Sequence, residues 1–478
     1  MGNFNEDYFV MKVDGAENHP ILVCGKTSMM PFVDIKMKHF TANFLIWIML
    51  LGAVGICSAQ NPITPEGEFF ADPSARQWKD GRVYLYGSRD ESVDYWCSYG
   101  NDVLSSDDMN SWTLHKNVFS SRGKNDEVAG TDALLFASDC MYKDSIYYLF
   151  YCTPDKNHSE GIATSHSPTG PFRGGYQLAH CTGIDPSVLI DDDGEIYYYW
   201  GQKSLKVAKL KPDFSDIELS TMKDGVLTVK EHYFHEGVQA FKRNGTYYLS
   251  FADESRRGMP TCIGYATSDS PTGPFVYRGV IIDNYGCDPG VWNNHGSVME
   301  INGSWYVFYH RSTNGGKKFR KACIEPVKFD NEGLIEEVEM TSQGVGEALN
   351  PFIETEARRA CSMTGNVRIS TLADGQERLT GIQDDNSACW KYFNFSHQPK
   401  QIHLRVISKH GGTIRVYTDN REAEELCRIF ITPGDGKTMT EQTAKLTEEI
   451  TEGVHALHFR FSGEKGKDLF DIDSFLFK

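Results

Sequence analysis

Polar turns alternate with short aromatic-rich runs along most of this chain, and the alternation repeats. Five segments share it: Lys79-Asp80-Gly81 before VYLYGS, Lys143-Asp144-Ser145 before IYYLFY, Asp192-Asp193-Gly194 before IYYYWG, Arg243-Asn244-Gly245 before YYLSFA, and Ile301-Asn302-Gly303 before WYVFYH. Tight-turn residues followed by aromatic and β-branched residues predict hairpins. The turn residues 81, 145, 194, 245 and 303 lie 64, 49, 51 and 58 positions apart. That is the spacing of four-stranded propeller blades. A second element follows the hairpins: GIATSHSPTGPF (161–172) and GYATSDSPTGPF (264–275) are near copies, and VLSSDDMNSWTL (103–114) is a looser relative. Its Pro and Gly suit a strand reversal. The pattern predicts an all-β chain with a five-bladed β-propeller over residues 60–345.

The grammar changes after Leu349-Asn350-Pro351. Stretches such as TIRVYT (413–418) and HALHFRF (455–461) alternate in short strands with no helix-length period. Residues 350–478 therefore read as a β-sandwich, jelly-roll-like. At the other end, Leu45 to Ile56 is an apolar run preceded by Lys36, Lys38 and His39 and followed by Cys57-Ser58-Ala59. The run is short for a spanning helix and right for a signal-peptide core. Residues 1–59 are read as an extension ending in a signal peptide near 37–59, cleaved after Ala59, so the mature chain is expected to be secreted or periplasmic.

Composition narrows the partners. Acidic residues outnumber basic ones 65 to 48, and no Lys/Arg run stands out. This argues against nucleic acid or an anionic membrane surface as partner. The cysteines after Ala59 include no CxxC pair, which argues against a zinc site.

The repeat also places acids. Nine residues before Gly81 is Asp72, before Gly194 Asp185, and before Gly245 Glu236; eight before Gly303 is His295. The second repeat has Phe136 at this offset, with Asp139 nearer the turn. An Asp before Pro is ordinarily a turn or capping residue, and a lone His more often belongs to a core. Equivalent positions on symmetric repeats, however, form one ring around the axis, so three carboxylates and a histidine converge. Hydrolysing a glycosidic bond takes one carboxylic acid to protonate the leaving oxygen and one carboxylate acting on the other face of the sugar.

At these residues the chain resembles glycoside hydrolase family 43, through ADPSARQWKDGRVYLYGS, IDPSVLIDDDGEIYYYWG, HEGVQAFKRNGTYYLSFA and NHGSVMEINGSWYVFYH. The resemblance implies Asp72 as general base, Glu236 as general acid and Asp185 as the carboxylate that tunes and orients the acid. It implies calcium, held through water, at His295. Phe136, Trp292 and Asp139 are the candidates for the substrate wall. The chain departs from the family at Asn294, where a Gly is usual, and at Phe136-Ala137-Ser138-Asp139, where Trp-Ala-Pro-Asp is usual. PFIETEA and HFRFSG…LFDIDSFLF are similar to carbohydrate-binding modules of family 6, where acids like Glu354, Glu356 and Asp473 hold a structural calcium. That family's sugar cleft uses an aromatic on the loop that here reads TPGDGKTMTE (432–441), which has none. The resemblance implies an exo-acting, inverting glycosidase on plant polysaccharide that needs no cofactor for its chemistry. An α-L-arabinofuranosidase on arabinoxylan leads; β-xylosidase, β-galactofuranosidase and a catalytically silent sugar-binding propeller are the alternatives.

Overall fold

The computed structural model describes residues 60–419 and 425–478; the expected signal segment 37–59 lies outside them. Five antiparallel sheets follow one another along residues 71–327, four with four strands and the fifth with three. Each opens on an inner strand: Ala71–Gln77, Ser138–Lys143, Ser187–Ile190, Phe234–Arg243 and Ser297–Ile301. The turns to the second strands are the polar ones read from sequence. Asn244-Gly245 has φ of 50° and 83° and Asn302-Gly303 51° and 82°, the two positive values that a two-residue hairpin of the right twist requires. The near-copied SPTGPF turns follow the third strands Glu160–Ser165 and Cys262–Ser268. Each accepts a tyrosine hydroxyl from the preceding blade, Tyr86 at Pro168 O (2.8 Å) and Tyr199 at Pro271 O (2.6 Å).

The inner strands are sewn into a closed ring. Asp139 of blade 2 accepts from Ser74 Oγ of blade 1 at 2.7 Å and from Val188 N of blade 3 at 2.9 Å. Ser187 Oγ accepts from Ala240 N of blade 4, Gln239 Oε1 from Val298 N of blade 5, and Ser297 Oγ from Ala75 N of blade 1. Apolar residues fill each gap between neighbouring blades, including Phe70, Leu85, Phe308 and Ile324 between the first and the fifth. Burying a side chain of Phe size stabilises by about 1.5–3 kcal/mol, and Tyr86, Phe150, Tyr198 and Trp200 are all fully buried. The three-stranded fifth blade is completed by residues 61–63. Ile63 N bonds to Ala322 O (2.9 Å), Asn61 Nδ2 to Ile324 O (2.9 Å), and Ile324 N to Asn61 Oδ1 (2.9 Å).

The C-terminal residues form a six-stranded and a five-stranded antiparallel sheet. They enclose a core that contains Trp390, Phe393, Phe459 and Phe475 and includes Leu349. Cys97 through Cys427, ten cysteines, are all buried and unpaired.

Candidate active site

Three blades send a carboxylate to one end of the axis. Asp72 and Asp185 both adopt left-handed backbone, with φ of 54° and 60°, a region that Asp tolerates better than most residues. The pairing register slips between Ala71 and Ser74 and on both sides of Glu236. Such bulges re-aim side chains next to active sites. Gly237, at φ 68°, has no Cβ because one would meet the His295 ring at 2.7 Å, so glycine lets the histidine close on the acids. All four side chains line one pocket of about 180 Å3 with Phe136, Trp96 and Trp292.

Asp72 is held as an anion. Arg320 Nη1 donates to its Oδ1 at 2.7 Å and Ser88 Oγ to its Oδ2 at 2.6 Å. Burial opposes its charge, but Arg320 and His295 outweigh burial and hold the carboxyl far below the usual range. Arg320 is fixed in turn by Asp90, through Nε at 2.8 Å and Nη2 at 2.9 Å. An ionised carboxylate offers about four lone-pair sites; Arg320, Ser88 and His295 do not exhaust them, which leaves capacity to accept a proton from water.

The acid side is joined to the base side by a chain of hydrogen bonds. The Asp72 backbone N–H donates to His310 Nδ1 at 3.2 Å, so that nitrogen is unprotonated and Nε2 carries the hydrogen. Nε2 donates to Asn293 O at 3.0 Å, and Asn293 Nδ2 donates to Glu236 Oε1 at 2.8 Å. Burial, then the positive Arg320, push His310 down to about 3, in keeping with this neutral tautomer. Gln202 Nε2 holds the other Glu236 oxygen at 2.6 Å.

Asp185 is raised to about 7, first by burial and further by the charges of Glu236 and Asp72, with His295 opposing. His295 Nδ1 stands 3.5 Å from Asp72 Oδ1 and 3.9 Å from Asp185 Oδ2. Burial disfavours its charge, but the two aspartates prevail and raise it above an ordinary histidine.

The wall candidates divide. Phe136 and Trp292 line the pocket; Asp139 does not. Its carboxylate is 1% exposed and is consumed by Arg76, Ser74 and Val188 N, because the ring needs an acceptor where blades 1, 2 and 3 meet. Trp96, which no repeat position signals, takes a place on the wall, 6.1 Å from Trp292 between ring centroids. Arg320, His310, Asn293 and Gln202 were likewise not singled out from sequence.

Two of the sandwich acids meet at an arginine and the third turns away. Arg405 lies between Glu354 (3.5 Å) and Asp473 (3.3 Å), and Glu356 turns to Arg358 and Arg359. Among the described residues no three His, Cys, Asp or Glu side chains gather to hold a metal ion, and arginine already supplies the positive charge to these acids. A chelator is therefore expected to leave the melting temperature unchanged. A fall of several degrees on adding EDTA, reversed by calcium and absent in Asp473→Asn, would show that these acids exchange arginine for metal.

Residues 59–335 match the model of the glycosyl hydrolases family 43. The chain belongs to that family. It is a glycoside hydrolase, and the silent-propeller alternative is set aside. Residues 356–478 of this family 43 enzyme match the carbohydrate-binding module of family 6. A xylosidase/arabinosidase of Thermoclostridium stercorarium is 29% identical over 86% of this chain and 97% of its own. An arabinoxylan arabinofuranohydrolase of Paenibacillus polymyxa is 28% identical over 85% of this chain and 72% of its own. Among solved structures, an arabinoxylan arabinofuranohydrolase from Bacillus subtilis in complex with cellotetraose is similar over 88% of this chain and 97% of that one, with a TM-score of 0.50 and 25% identity. A β-xylosidase/α-arabinofuranosidase from a compost metagenome, in complex with xylotriose, covers 59% of this chain and 98% of its own, with a TM-score of 0.51 and 27% identity.

Proposed function

We propose that this enzyme removes single terminal pentoses from plant polysaccharide by inversion, with arabinofuranose on arabinoxylan as the leading substrate. The observation that carries this reading is one small pocket with an ionised Asp72 on blade 1 and Glu236 on blade 4. About 180 Å3 falls below the roughly 300–1,000 Å3 of sites for drug-sized ligands, which is room for one sugar ring rather than a run of rings. In the proposed step Asp72 takes a proton from water as that water attacks the anomeric carbon. Glu236 gives its proton to the departing oxygen, and Asp185 and His295 shape the charge between them. The sugar's apolar face rests on Phe136 and Trp292. The names of the Thermoclostridium and Paenibacillus relatives favour arabinose or xylose, and one Aspergillus niger relative at 28% identity is named a β-D-galactofuranosidase.

Two measurements test this reading. A panel of nitrophenyl glycosides, one per sugar, is expected to give its highest kcat/KM with α-L-arabinofuranoside. Dominance of β-xyloside or β-galactofuranoside would transfer the assignment to that sugar. Proton NMR in the first minutes of hydrolysis is expected to show product of opposite anomeric configuration; retained configuration would make Asp72 a nucleophile. Export is part of the same proposal and rests on the apolar run Leu45 to Ile56. A secreted product whose first residue is Gln60 is the expected result.

A further inference from the structure

The residue that holds the base, Arg320, sits in a stretch of chain tied down at both ends by the sandwich. At one end Asn314 pairs with the sandwich strand Arg368–Thr371 twice over. Its backbone N–H donates to Ile369 O at 2.7 Å, and its Oδ1 accepts from Thr371 N at 2.7 Å. At the other end Lys321 forms a fully buried ion pair with Glu377, on the adjacent strand Glu377–Thr380. Beside the first anchor, Thr313 Oγ1 closes the loop by donating to Phe319 O. Arg368 lies directly beneath Gly315, where a Cβ would meet its Nη1 at 2.7 Å.

The loop that carries Asn293 and His295 is gripped as well. The sandwich's Met363 N donates to Gly286 O at 2.7 Å. Asp288 joins the two loops, accepting from Gly290 N at 2.9 Å and from Gly315 N at 3.1 Å. The groups that orient base and acid therefore share a footing on the second domain.

We propose that the sandwich acts in catalysis as a clamp: its hairpin 368–380 positions Arg320, and through it Asp72, with Asn314 as the positioning residue. This rests on the active site assigned above and adds a role that carbohydrate binding does not supply. A module that only captured polysaccharide would matter for polymers and not for a small aryl glycoside. A clamp matters for both, because misplacing a reacting group by about 1 Å can cost about 100-fold in rate.

The test uses the full chain and whichever aryl glycoside the wild-type enzyme cleaves fastest, so an error in the sugar assignment leaves the clamp readable. Asn314 has a φ of 61°, which Gly and Asp both accept. Asn314→Gly removes the acceptor of Thr371 N–H; Asn314→Asp keeps it. Asn314→Gly is expected to lower kcat by about 10- to 100-fold, and Asn314→Asp to stay within about twofold of wild type. Glu339→Gln serves as control. It loosens a different seam of the same interface, at Lys391 and Tyr392, and is expected to lower the melting temperature with kcat unchanged. An active Asn314→Gly with wild-type kcat, or an equal loss in Glu339→Gln, overturns the clamp. Should Asn314→Gly not fold, Arg368→Ala carries the same expectation, since it withdraws the packing under Gly315.

Discussion

Glu236→Gln is expected to lose about 10²- to 10⁴-fold in kcat on natural oligosaccharides, the usual contribution of a positioned general acid. On an aryl glycoside whose phenol leaves without help the loss should shrink to about tenfold or less. Glutamine fits the cradle: Asn293 can still donate to the amide oxygen, and only the contact from Gln202 needs reorientation. The loss therefore reports on the proton and not on packing. The comparison variant is Asp185→Asn. Burial and the neighbouring acids raise Asp185 to about 7, so near neutral pH it carries a proton for part of the time. If Asp185 orients and tunes the acid, its loss should also be larger for poor leaving groups than for good ones, but with a smaller difference than Glu236→Gln shows. A leaving-group dependence larger in Asp185→Asn than in Glu236→Gln would move the acid to blade 3.

Asp72→Gly is expected to remove about 10²- to 10⁴-fold with every leaving group, because water activation is needed throughout. Glycine suits the left-handed backbone at this position and opens space beside Arg320. Removing the carboxylate leaves Arg320 Nη1 and Ser88 Oγ without their acceptor, which creates a site for a small anion. Azide should restore part of the rate with an activated aryl glycoside and yield the glycosyl azide of inverted configuration. Wild-type activity in a folded Asp72→Gly would exclude Asp72 as base, and a glycosyl azide of retained configuration would point to a covalent intermediate.

The axial carboxylates were legible because propeller symmetry converts a sequence offset into a position in space. Nine residues before the turn glycines of blades 1, 3 and 4 the chain stands at the head of an inner strand, so Asp72, Asp185 and Glu236 could be found without any specific motif. Asp139, a wall candidate that lies outside that offset, has a different place. A buried Asp beside Arg76 satisfies a ring of backbone donors instead of a sugar. A second register went unread. Seven residues after the turn positions 81, 145 and 303 stand Ser88, Cys152 and His310. Cys152 Sγ accepts from Asp185 N and His310 Nδ1 from Asp72 N, each reaching the aspartate of the next blade, while Ser88 bonds its own. Arg320 was hidden for a different reason: it ends a loop, where no periodicity operates, and its partner Asp90 is 230 positions away. The sandwich could be read as a fold from alternation alone, but its grip on Asn314 depends on a docking geometry that no local pattern encodes.

The seam of the propeller governs the order in which the protein can be made. Asn61 meets Ile324 across 263 positions, and Ile63 meets Ala322, so the first described residues to leave the ribosome are among the last to find their partners. At about 5–20 residues per second, the opening strand waits on the order of tens of seconds for the strand it completes. Blades 1 to 4 can pair locally as they emerge, since each is a run of adjacent hairpins. The long-range joining of residues 61–63 to the fifth blade then bears the loop-closure cost that slows folds of high contact order. Until it occurs, the inner strand of blade 1 and the apolar faces of Phe70 and Leu85 have no neighbour on one side, and that interval is when this chain is most exposed to aggregation.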